Sequence, residues 1–202
     1  MQSPTLKEKT AKGLYWGSLT SGIQQLISAG FGILLARILT QADYGTIGVL
    51  SIFLAVANTL QEGGFTAGLI NRKEIKIADY NAVFWFSFGV GASIYLILFF
   101  CAPLIAWFFH DPIYIPLSRV MFLWIVAGSL GIAPNAMMQK TLRIKERSII
   151  NVTALAVSSI TGVVLVLLGY GYWGLVIQSV TQPVVNTTLL WCVSTWRPRW
   201  SF

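Results

Sequence analysis

Apolar residues in this chain fall in long unbroken runs rather than in the alternating or every-third-position patterns of soluble elements. Windows free of charge cover residues 13–36, 44–61, 80–110, 120–139 and 148–196. A helix needs roughly 20 apolar residues to cross the hydrocarbon core of a bilayer. The first four windows therefore hold one helix each. The last is 49 residues long and holds two, broken at Gly169-Tyr170-Gly171-Tyr172-Trp173-Gly174. The pattern predicts six helices, over roughly 13–36, 44–70, 81–109, 118–139, 148–169 and 173–195, joined by short loops. The expected fold is all-α and polytopic: a basic tail over residues 1–12, a six-helix transmembrane lobe over 13–196, and the start of a cytoplasmic connector over 197–202.

Composition agrees with the pattern. Of 202 residues, 55% are hydrophobic and 10% charged, against about 25% charged in a soluble domain. The net charge of +7 would suit nucleic acid, but its placement points elsewhere. With the N-terminus in the cytoplasm, twelve of the 14 Lys and Arg fall on the inner side, and only Arg37 and Arg119 fall outside. That is the positive-inside asymmetry of a membrane protein, so the basicity sets topology and nucleic acid is not an expected partner. Tyr and Trp cluster at the helix ends as interfacial belts, whereas Trp85, Trp124 and Trp191 lie deeper and are expected between helices. Pro103, Pro134 and Pro183 lie in or near spans, where proline kinks a helix and frees a carbonyl. Gly13, Gly17 and Ser21, and likewise Gly64 and Gly68, share helix faces suited to close helix packing. Cys101 and Cys192 read as apolar core residues.

Candidate chemistry is sparse. No phosphate-binding glycine loop, nucleophile elbow, HExxH or CxxC motif is present, so neither catalytic residues, cofactor nor metal is expected. His110, beside Asp111 and Pro112, falls at the outer interface. Asn151-Val152-Thr153 and Asn186-Thr187-Thr188 match a glycosylation pattern but fall in the membrane or at its inner edge, where it carries no meaning. Glu62 is the one acidic side chain expected within a span. A carboxylate there costs about 2.5–3.5 kcal/mol on insertion scales, so it must face protein or a wet cavity. With Gln61 and Asn58 it forms a candidate transport or ion-coupling group; equally, it could be a structural partner of Gln24, Gln25 or Asn58. Gln24, Gln25, Gln178 and Gln182 are candidates to line a polar cavity. Arg37 and Arg119 are candidates to meet an anionic substrate or, by snorkelling, lipid headgroups.

Three stretches carry a family resemblance: LARILTQADYGTIGVLSIF at 35–53, LQEGGFTAGLINRKE at 60–74, and LGYGYWGLVIQ at 168–178, followed by WRPRWSF. The most specific part is Ala36-Arg37, Leu39-Thr40 and Asp43-Tyr44-Gly45. Over roughly residues 10–202 the chain resembles the polysaccharide transporters, the lipid-linked oligosaccharide flippases of bacterial surface-glycan synthesis. The resemblance implies one lobe of a two-lobe exporter in the bacterial cytoplasmic membrane, partnered by membrane lipid, a polyprenyl-pyrophosphate-linked oligosaccharide and a second lobe. It implies alternating access, a proton or sodium gradient as energy source, and cationic cavity residues that meet the pyrophosphate. A drug/cation antiporter of the same superfamily, or a non-transporting scaffold for glycan synthesis, are the alternatives.

Overall fold

The structure is a computed structural model that describes residues 6–62, 77–141, 143–194 and 196–198, with side chains over 15–60, 79–141, 143–194 and 196–198. All regular structure among the described residues is helical: α1 (Leu6–Ile38), α2 (Gln41–Glu62), α3 (Ile77–Phe109), α4 (Tyr114–Met121), α5 (Leu123–Ser129), α6 (Ile132–Lys140), α7 (Ile144–Leu165) and α8 (Tyr172–Val193). Five stretches are long and apolar enough to cross a membrane: Tyr15–Ile38, Gln41–Leu60, Asp79–Phe109, Tyr114–Lys140 and Ile144–Tyr170. The sixth expected span, α8, has 22 residues and no charge. It is less apolar because it carries Gln178, Gln182 and Asn186, and it returns antiparallel along α7, its most extensive partner. The chain is an all-α polytopic membrane protein.

Three differences from the predicted boundaries have local causes. Helix α1 begins at Leu6, so residues 6–12 of the stretch expected as a polar tail are helical; Lys, Glu and Ala there favour helix and no breaker separates them from the span. The expected fourth span is three segments, α4 to α6: the ladder shifts at Phe122, where Ile125 N–H turns to Phe122 O at 3.0 Å, and breaks again where Gly128, Gly131 and Pro134 interrupt it. Helix α7 begins at Ile144, four residues early, and widens into a π-helical turn at Val166–Tyr170 before reversing. That reversal uses Gly169 at φ 88° and Gly171 at φ 51°, where a side chain would be strained. At the end of α3, His110 takes φ 56° and Asp111 N–H reaches back to Ala106 O at 3.2 Å, a left-handed helix cap. The single histidine is thus a terminator of α3.

The largest apolar core joins α2 (Leu50, Ala57), the end of α3 (Ile105, Ala106), α4 and α5 (Leu117, Met121, Phe122, Ile125) and Val176 of α8. Helix α1 lies along α7, where Leu35 and Leu39 meet Val163 and Val166, and Lys145 Nζ stands 5.3 Å over the Trp16 ring. An aromatic cluster of Tyr80, Phe84, Trp191 and Trp196 ties the start of α3 to the chain just beyond α8. Apolar side chains also point outward, as lipid permits: Leu26, Phe100 and Trp107 are each more than 70% exposed. A Cβ at Gly17 would meet nothing within 4 Å, so no described backbone approaches α1 closely at that position. One expectation is corrected here. Cys192 faces outward and Cys101 is half-buried, so neither thiol is a fully buried core residue; sulfur is apolar enough for lipid to accept it. Gly64 and Gly68 lie outside the described residues.

Candidate polar groove beneath helix α2

The broken fourth span creates the first half of the site. Pro134 has no N–H, so Leu130 O loses its usual donor four residues on. Gly131 N–H turns to Gly128 O at 2.9 Å, which takes from Ala127 O its usual donor. An unpaired carbonyl in the membrane is costly. Helix α8 supplies both replacements from positions one turn apart: Thr187 Oγ1 donates to Ala127 O at 2.8 Å, and Trp191 Nε1 donates to Leu130 O at 3.1 Å. The approach is close enough that a Cβ on Gly131 would stand 2.8 Å from Thr187 Oγ1.

Above this junction a cavity of about 320 Å³ opens between α2, α5, α6 and α8. Its polar lining is Asn58, Asn135, Gln182, Asn186 and Thr187, with Trp124 as an aromatic wall. The amides are held from behind. Asn186 Nδ2 donates to Asn151 Oδ1 at 2.7 Å across the α7–α8 hairpin. Arg147 Nε donates to Asn135 Oδ1 at 2.8 Å from the first turns of α7. A second cavity of about 290 Å³ lies nearer the Gly169–Gly171 turn, between α1, α2, α7 and α8. Ser28, Tyr44, Ser159, Gln178, Ser179 and Gln182 supply its polar groups. Gln182 lines both cavities, and α2 passes over them, touching the turn-side one with Tyr44 and Ile47 and the far one with Asn58. Along α8, Gln178, Gln182 and Asn186 stand at every fourth residue, so roughly 12 Å of one helix face is polar. Among the described residues no charged side chain lines either cavity.

The groove gathers some of the residues singled out in the sequence. Asn58, Gln178 and Gln182 line it. Gln24 is half-buried and Gln25 exposed on α1, and neither is among its lining residues. Arg37 ends α1 exposed, while the Arg119 guanidinium stacks 4.2 Å over the Phe99 ring, away from the groove lining. The backbone of Gln61 and Glu62 closes α2; their side chains lie outside the described ones. Sequence reasoning missed Asn135, Asn151, Asn186, Thr187 and Arg147. A usable signal was present: an amide in a span needs a partner, and the two asparagines set aside as meaningless glycosylation patterns pair with each other.

Compared with known proteins, residues 34–202 match the family described as polysaccharide biosynthesis protein. The lipopolysaccharide biosynthesis protein WzxC of Escherichia coli is 27% identical over 92% of this chain and 37% of its own length. The succinoglycan biosynthesis transport protein ExoT of Rhizobium meliloti is 24% identical over 99% of this chain and 41% of its own length. The teichuronic acid biosynthesis protein TuaB of Bacillus subtilis is 22% identical over 74% of this chain and 31% of its own length. The chain thus spans about two fifths of the length of the first two relatives. No solved structure matches it significantly.

Proposed function

Because this chain belongs to the polysaccharide biosynthesis protein family, we propose that it forms one lobe of a transporter that moves a polyprenyl-pyrophosphate-linked oligosaccharide across the bacterial cytoplasmic membrane. The observation that carries this reading is the groove, two uncharged polar cavities bridged by Gln182 in a helix bundle that turns many large apolar side chains outward. Polar groups at membrane depth are costly and mark substrate paths. Amides and hydroxyls beside aromatic rings are the groups that sugar hydroxyls pair with. Arg147, joined to the far cavity through Asn135, supplies a fixed positive charge behind its wall toward the pyrophosphate.

In this reading the N-terminus and the α6–α7 junction are cytoplasmic, a second lobe covers the groove, and the two lobes rock about it. Glu62, at the end of α2, is the candidate coupling residue, with Gln61 beside it. The activity is translocation and needs no catalytic group. In cells whose surface glycan depends on this protein, Asn186→Ala and Gln182→Ala at normal protein level are expected to lower surface glycan at least about fivefold. Leu26→Ala, on an outward face, is expected to leave it unchanged. Normal glycan with both groove variants would refute the reading.

A further inference from the structure

Ser159 and Gln178 face each other across the α7–α8 hairpin in the same register as Asn151 and Asn186, each eight residues nearer the turn. The asparagines satisfy one another. The other pair does not: Ser159 Oγ and Gln178 Oε1 are both buried and neither has a hydrogen-bond partner. Ser159 is 1% exposed. The Gln178 side chain is pressed over Gly162, whose Cβ, if present, would stand 2.5 Å from Gln178 Oε1. Leaving such atoms unpaired in a low-dielectric setting is costly, because each has given up water and gained no partner. Both residues line the turn-side cavity.

We infer that the turn-side cavity is a subsite for one uncharged, hydroxyl-rich sugar ring, held by Ser159 and Gln178. The inference rests on the glycan-transport reading and adds to it where the neutral part of the substrate lies. Gln178 Oε1 can only accept, so its partner must bring a donor, which a phosphate or carboxylate oxygen lacks. Ser159 Oγ donates and accepts, and a sugar hydroxyl answers both. An unscreened anion or cation would sit here without a counter-charge, since among the described residues no charged side chain lines the cavity. The nearby Asp43 is already engaged: its Oδ2 accepts from Thr40 N–H at 2.9 Å and Thr40 Oγ1 at 2.7 Å. At about 290 Å³ the cavity is about ten times the roughly 30 Å³ that a water occupies in the liquid. That is room for a pyranose ring. Tyr44 and Phe31 offer flat apolar surface to the ring's C–H face.

The test is saturation-transfer NMR on the chain in lipid nanodiscs, with cellotriose as neutral probe and trigalacturonate as acidic probe of equal length. Cellotriose is expected to give the larger signal. Ser159→Ala is expected to reduce it about fivefold while the melting temperature stays level or rises, because the lost hydroxyl has no partner within the fold. Equal signals from both probes, or an undiminished cellotriose signal in Ser159→Ala, would overturn the subsite. So would a melting temperature raised by sodium chloride but not choline chloride, and lost in Ser159→Ala, which assigns the pair to a cation. A cellotriose signal kept in Ser159→Ala but lost in Asn186→Ala moves the ring to the far cavity: the subsite fails and the glycan reading stands. No signal from either probe, together with normal surface glycan in the groove variants, overturns both.

Discussion

Thr187 and Trp191 stand in for two backbone donors that the fourth span lacks. Thr187→Val keeps the shape and removes the donor. It is expected to cost about 1–2 kcal/mol, read from thermal unfolding in detergent, because Ala127 O is then left unpaired. Pro134→Ala restores an N–H that competes for Leu130 O. The cost of Trp191→Phe is therefore expected to shrink in the Pro134→Ala background, a coupling that a double-mutant cycle of unfolding measurements detects. Equal costs in both backgrounds would mean that Trp191 contributes packing alone. The same logic applies to Asn151 and Asn186. Either single alanine variant strands an amide, so the double variant is expected to be less destabilised than the two singles combined. The sequence shows that Pro134 frees a carbonyl. It does not show which donor answers, because Trp191 lies 61 residues away.

At the scale of elements, spans are legible because the bilayer imposes one length and one polarity on each. Helix α8 is the informative exception: uncharged and 22 residues long, it gives up apolarity to carry Gln178, Gln182 and Asn186 at fourfold spacing. The break between α7 and α8 is written in glycines that alone tolerate φ 88° and φ 51° cheaply. Gly171→Ala is expected to cost about 1 kcal/mol in thermal unfolding, with no loss of groove residues. The breaks within the fourth span were less legible. Gly128, Gly131 and Pro134 signal weakness in a helix, but the boundary between α5 and α6 depends on Thr187 and Trp191 holding the opened turn.

For the whole molecule, the charge asymmetry makes a topological prediction. Single cysteines placed at Asp111 and at Lys145, in a background lacking Cys101 and Cys192, are expected to react oppositely with a membrane-impermeant maleimide. Asp111→Cys labels in intact cells and Lys145→Cys only after permeabilisation; the reverse pattern would invert the proposed orientation.

The sequence by itself determined an all-α membrane protein, the approximate positions of its spans, and its family resemblance. Each of these rests on local runs, or on short motifs read along the chain. Only the tertiary structure decided which polar residues meet. It joined Asn58, Gln178 and Gln182 to Asn135 and Asn186 in one groove, with Asn151 and Arg147 bracing the amides behind it. It also left Gln24, Gln25 and Arg119 outside that groove. The physical reason is that a bilayer tells every span to be apolar without telling it which neighbour to face. A polar side chain's partner is fixed only when helices far apart in sequence close on one another.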